Sequence, residues 1–215
     1  TEVDLNKTYY VDILEHDDFS EDFTYGWRYL YEGDDDTENA EIFNYCKQKW
    51  IEFYRFVTTS TDEEFKAHIG DYVVLDSILY YYLFTTRYCM VDNRSKNLFF
   101  HYGKTNEVDP DGNPIRKWDL SWDYDNDTAL GLNNYGKQVY RYGLEDIDTD
   151  EKGEEVFRES DSTFFCRIRD LFPTELKAMY NTLESKNAWH AESFINKADE
   201  WQSQFPEELW RVDIE

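Results

Sequence analysis

Apolar positions recur along this chain at two different spacings, and each change of spacing marks a change of expected element. In "GDDDTENAEIFNYCKQKWIEFYRFVTTST" the residues Ile42, Tyr45, Cys46, Lys49, Trp50, Phe53 and Phe56 follow a period near 3.6. That pattern predicts a helix with one buried aromatic face. Asp36 or Thr37 is placed to cap it, and Glu38 and Glu41 sit where the helix dipole favours negative charge. Thr58, Thr59, Ser60 and Thr61 end it, and "TDEEFKAHIG" reads as a short capped helix stopped by Gly70. The most apolar stretch, "DYVVLDSILYYYLFTTRYCMVDN", places Tyr72, Leu75, Ile78, Leu79 and Tyr82 on one stripe. A core helix over about 71–86 is expected, with a strand as the competing reading because Tyr and Val favour strands.

Alternation takes over in the middle. "KNLFFHYG" and "GKQVYRYGLED" predict strands, the second over 137–142, and "NEVDPDGNPIRKW" predicts a turn on Pro110, Gly112 and Pro114. Near the start, "KTYYVDIL" and "FTYGWRYLY" suggest short extended segments. Helical spacing returns over 160–172, then from Pro173 with Leu176, Met179, Tyr180 and Leu183 on one face. A last helix over about 191–204 should turn Phe194, Ala198 and Trp201 inward. The sum is an α+β chain, mainly helical (36–90 and 160–204), with a small antiparallel β-sheet inserted in its β-rich middle (91–148). No repeat or low-complexity linker divides it, so it reads as a single α+β domain or a fragment of a much larger protein. The start at Thr1, without Met or a targeting segment, points the same way.

Composition sharpens this picture. Hydrophobic residues make up 40% of the 215, enough for a folded core. Aromatic residues reach 19%, and rings bury large areas at little entropic cost in cores and interfaces. The formal charge is −25, from 47 acidic and 22 basic residues, which opposes nonspecific binding to nucleic acid. Cys46, Cys89 and Cys166 are widely spaced and odd in number, which fits neither a zinc site nor a closed disulfide framework. They read as small buried hydrophobes. Asn6, Asn93 and Asn126 head glycosylation tripeptides that read as chance matches. No run approaches the roughly 20 apolar residues of a membrane helix.

Candidate chemistry concentrates in "WDLSWDYDNDTALGLNN", residues 118–134. Asp123, Asp125 and Asp127 alternate like the first half of a calcium loop. The match to an EF-hand then fails, because Thr128 holds the glycine position and Asn134 stands where the bidentate Glu belongs. Two readings stay open: a looser calcium site using Asn133 or Asn134, and an Asx-rich turn whose side chains bond their own backbone. The turn leads. Asp119 and Asp123 beside Trp118 and Trp122 also suggest a glycosidase or carbohydrate-binding face, although 47 acids and 7 Trp make such neighbours common. His16, His68, His101 and His190 lack metal spacing, and His101 in "FFHYG" reads as a hydrogen-bonded core residue. Nucleophile-elbow, P-loop and dinucleotide motifs are absent from the sequence. No catalytic residue is assigned, and the chain is read as not an enzyme.

The run Tyr80, Tyr81, Tyr82, Leu83, Phe84 cannot all face one core, since successive helical residues point to different sides. Tyr80, Tyr81, Tyr82 and Phe84 are therefore candidates for contact with another chain. Three stretches, "LYYYLFTTRYCMVDNRSKNLFFHYG", "WDLSWDYDNDTALGLNNYG" with "YRYGLEDID", and "LKAMYNTLESKNAW" with "WQSQFPEELWR", resemble segments of very large virion proteins. Those are the tail structural proteins (tail-knob or muzzle type) of short-tailed, crAss-like gut bacteriophages. The resemblance covers about the last two-thirds of the chain and carries no motif of known chemistry. It implies a domain of a tail subunit in the virion, made in the host bacterial cytoplasm, with other copies of itself and neighbouring tail proteins as partners. It also implies that 123–128 is architectural, a turn that a calcium ion could pin. Three further readings rank below it: a carbohydrate- or cell-surface-binding tail module, a cell-wall hydrolase, and an acidic DNA mimic.

Overall fold

A computed structural model describes residues 9–12, 36–90, 93–94, 99–121, 129–132 and 162–204. The expected strand at 137–142, the extended segment at 23–31 and the acidic loop 122–128 lie outside them. The described residues fall in two compact units, within Thr1–Pro173 and Thr174–Glu215.

The first unit is helical around a small antiparallel sheet, as the spacing predicted. Its elements are β1 (Tyr9–Asp12), α1 (Asp36–Thr59), α2 (Asp62–Tyr72), α3 (Leu75–Arg87), β2 (Phe99–Val108), β3 (Pro114–Ser121) and α4 (Thr163–Leu171). The strands run in the order β1-β2-β3, with β1 added from near the start of the chain. The turn expected over 106–118 is confined to 109–113; its flanks are strand, because 106–108 extend β2 and 114–118 pair back as β3, a strand the sequence did not mark. Asp109 holds that turn, its carboxylate accepting from the backbone N–H groups of Asp111 and Asn113. Gly112 takes a left-handed φ of 84°, the conformation a glycine adopts without strain.

Helix α1 buries Cys46, Trp50, Phe53 and Val57, one stripe at helical spacing. Rings of Phe100 from β2, Trp118 from β3, Phe65 from α2 and Phe164 from α4 meet the rings of α1, and Leu120, Ile69, Phe165 and Ile168 are buried in the same unit. The rings meet edge to face. Trp50 lies 5.3 Å from both Phe100 and Trp118, and Phe53 lies 5.5 Å from Phe164. Such pairs add about 0.5–1.5 kcal/mol each beyond the area they bury. Nearly a fifth of the chain being aromatic is thus explained first by this core.

Two expectations fail between α2 and α3. Gly70 does not stop α2, which runs on to Tyr72. Its capping box at Thr61 and Glu64 starts it firmly, and the Tyr72 ring stacks 4.3 Å from Phe56, which favours the extra turn. The single helix expected from 71 to 86 is broken at Val73, whose φ and ψ of −127° and 159° are extended. Val73 bridges Trp118 in parallel, and Val74 N–H donates to Trp118 O at 2.9 Å. Two β-branched residues in a row suit that extended step. The break turns α3: Ile78 and Leu79 of the expected stripe are buried, joined by Tyr81 and Thr85, whereas Tyr72, Leu75 and Tyr82 are half-buried.

The second unit contains α5 (Pro173–Ser185, whose first residue belongs to the first unit) and α6 (Ala191–Gln204). Between them Trp189 is buried, 5.7 Å from the Tyr180 ring. The inward face expected for α6 is overturned. Phe194, Ile195 and Trp201 are 52%, 54% and 61% exposed, and none of the helix is buried.

Burial sets one pH dependence. The Cys46 thiol is pushed up to about 12 by burial, with Arg116 pulling weakly the other way. Burial also raises the Tyr81 and Tyr102 hydroxyls. The unfolded chain gives up the Cys46 proton near the thiol's ordinary value of 9.0, while the folded chain keeps it until about 12. Stability should therefore fall as pH rises through that window, by about 1.4 kcal/mol per pH unit for this thiol alone. Urea midpoints followed from neutral to alkaline pH check it. A Cys46→Ala variant should lose part of the slope.

Candidate functional site

Three places collect polar chemistry among the described residues. The first is an open cleft of about 520 Å³ between the end of α1 and the outer face of α2. Phe56 and Tyr72 form part of its wall, stacked at 15°. His68 and Asp71 stand on its rim, Nδ1 to Oδ2 at 3.0 Å, one helical turn apart on α2. A carboxylate that holds an imidazole in this way is half of a general-base arrangement. No described residue lining the cleft supplies the other half. The hydroxyls of Thr59 and Ser60 donate back to the carbonyls of Arg55 and Phe56, and Ser60 Oγ also accepts from Arg167. Glu64 is engaged in the capping box, where hydrogen bonds from Thr61 hold its carboxyl below the usual range.

The second is the corner where α1 meets α2. The last turn of α1 carries no basic residue of its own. Arg167 of α4 supplies the charge, donating to Val57 O at 2.6 Å, Ser60 Oγ at 3.1 Å, Thr61 O at 2.9 Å and Asp62 Oδ1 at 3.0 Å. Its guanidinium also lies 4.2 Å from the Phe65 ring centroid. A cation at a helix C-terminus is favoured by the macrodipole, and the planar fork suits several acceptors at once. The sequence marks this residue only as one basic position in "FFCRIRDLF".

The third is the region after α3. Arg94 is buried, with Nε donating to Thr85 Oγ1 at 2.9 Å and Nη2 to Tyr82 O at 2.9 Å and to Thr86 Oγ1. Asn93 beside it is 3% exposed, and its carbonyl accepts from the Tyr81 hydroxyl. The Asn93 side chain is therefore buried away from any glycosylating enzyme in the folded chain. Leu130, at the far end of the acidic stretch, donates its N–H to Tyr88 O at 2.6 Å, which ties 129–132 to the end of α3.

The residues singled out by sequence separate accordingly. Asp123, Asp125 and Asp127 lie outside the described residues, so the calcium loop has no geometry to report. No group of three or more metal-ligating side chains occurs among the described residues. Trp118 is 1% exposed inside the core, so its ring offers no face to a sugar, as the low rank of that reading anticipated; Trp122 and Asp123 lie outside the described residues. Asp119 instead faces His101 across the ladder, Oδ2 to Nε2 at 3.7 Å. Burial lowers the His101 imidazole's affinity for a proton, and Asp119 opposes that in part. Tyr81 is corrected as an interface candidate: it is 4% exposed and stacks on Phe165. Tyr80, Tyr82 and Phe84 are half-buried; Tyr80 lies 6.0 Å from Phe84, and the Arg94 guanidinium sits 4.1 Å over Tyr82. Cys46 is buried as expected, whereas Cys89 and Cys166 are half-buried. Among the described residues, three of the exposed large hydrophobic side chains, Phe194, Ile195 and Trp201, stand on α6, where the sequence turned a face inward.

No helix among the described residues is long and apolar enough to cross a membrane. Scans against protein-family models, curated proteins and solved structures find no match for this chain.

Proposed function

We propose that the chain is a structural domain of a bacteriophage tail protein, contributing to a tail-tip assembly by packing against neighbouring subunits. The observation that carries the reading is the row Phe194, Ile195 and Trp201, each more than half exposed on one helix. Exposed aromatic and aliphatic side chains grouped in this way mark interaction surfaces more often than they mark ordinary solvent-facing helices. The resemblance of residues 79–103, 118–148 and 176–211 to virion tail proteins names the setting. A ring-packed core with hydroxyls turned to helix carbonyls suits a packing role better than turnover. Mass spectrometry of purified particles of the virus encoding the chain tests the proposal. Peptides of the chain in stoichiometric amount with tail proteins are expected; finding them only in lysate, never in particles, overturns it.

A further inference from the structure

We infer that the apolar face of α6 is a seat for a cationic amphipathic helix from a different chain, a partner class that rests on the assembly reading above. At 100° per residue, Phe194, Ala198 and Trp201 fall within an arc of about 60°, and Ile195 widens it to about 120°. That is the width of stripe into which a partner helix lays anchors at i, i+4 and i+7 spacing. Phe194, Ile195 and Trp201 supply the area, being 52%, 54% and 61% exposed, and no residue of α6 is buried.

Charge decides between occupants. Helix α6 carries Glu192, Asp199 and Glu200 against a single basic residue, Lys197. Lys197 Nζ sits on Glu200 at 2.7 Å, so the helix's own cation is spent on one of its acids. Glu192 and Asp199 project beyond the Ile195 edge of the stripe, on the same reckoning of 100° per residue. A second copy would bring these acids, and a formal charge of −25 on each chain, against their like. Like-charge juxtaposition is the ordinary means by which a wrong partner is rejected. A segment with Lys or Arg flanking Leu or Phe anchors meets both requirements. Its basic side chains reach Glu192 and Asp199, and a guanidinium or ammonium can lie over the exposed Trp201 ring.

The test uses the full chain and two labelled synthetic peptides of equal length and charge, one alternating Lys with Leu at helical spacing, the other with every Leu replaced by Ser. The Lys/Leu peptide is expected to bind at least about tenfold tighter than the Lys/Ser peptide, which separates the apolar seat from bulk charge attraction. A Phe194→Ser, Trp201→Ser double variant should lose that ratio while keeping the weak Lys/Ser binding and the thermal midpoint of the parent. Undiminished Lys/Leu binding by the double variant overturns the inference. So does a marked fall in its thermal midpoint, which would mean that the chain's own residues cover the face. Sedimentation showing a parent dimer that the double variant dissolves overturns it too, in favour of a second copy. The last result leaves the tail reading standing, because presence in particles is read separately.

Discussion

Replacing Trp50 by alanine is expected to lower the stability of the folded chain by about 3–5 kcal/mol, the largest effect of any single substitution in this core. The ring is 1% exposed and touches three others edge to face: Phe53 at 5.6 Å, Phe100 and Trp118 at 5.3 Å. Those three come from α1, β2 and β3, so the space left behind cannot collapse by moving one element alone. A folded domain has roughly 5–15 kcal/mol in hand, so the loss leaves little or nothing. Trp50→Phe should recover about half of it, since one ring of smaller volume still fills part of the site. Urea unfolding followed by far-ultraviolet dichroism reads both variants. A Trp50→Ala chain within about 1 kcal/mol of the parent would show that the α1–sheet contact is not where stability resides.

The second large effect is expected at Arg167. Alanine there strips four acceptors of a charged donor at once: Val57 O, Ser60 Oγ, Thr61 O and Asp62 Oδ1. The exposed salt bridge to Asp62, whose side chain is 70% exposed, adds little on its own. The carbonyls matter more, because α1 ends without a basic residue and the guanidinium reaches it from α4. A loss of about 2–4 kcal/mol is expected, the range for removing charge-assisted hydrogen bonds in a half-buried setting. Lysine should recover less than half, having no planar fork to serve two carbonyls and the Phe65 face together. Equal stability of Arg167→Lys and the parent would refute the bidentate account; unfolding midpoints of the three chains decide it.

How far the sequence foretold all this depends on what each residue's neighbours could reveal. The period through Cys46, Trp50 and Phe53 was enough to place α1 and its buried side, because tertiary packing agrees there with local pattern. The centre of the turn around Pro110 and Gly112 was legible too, since its chemistry is local, but its flanks were not, because their strand pairing is not. Val73 and Val74 were not, because two valines inside an apolar run look alike in a helix and in a strand. Only their pairing with Trp118, forty-five positions on, distinguishes the two. Tyr81 and Tyr82 are adjacent and chemically identical, so the choice of the core residue hung on that same break. Helix α6 shows the complementary limit. An amphipathic pattern states that one face is apolar, not that anything within the chain covers it. Arg167 showed only as a basic position, since two of its four acceptors are backbone carbonyls that every residue possesses and the other two lie more than a hundred positions away.

The ring cluster has a consequence for biosynthesis. Phe53 meets Phe164 at 5.5 Å, yet more than a hundred residues separate them along the chain. At about 5–20 residues per second, α1 leaves the ribosome roughly 6–20 s before α4 can close over it. Through that interval Trp50, Phe53 and Val57 form an apolar stripe with nothing from α4 to cover it, on a nascent chain beside others like it. Holding by a chaperone, or slowed initiation that spaces the nascent chains apart, should raise the yield of folded protein far more than any change at its surface. Truncation anywhere before Phe164 should yield aggregate, whatever the purity of the preparation.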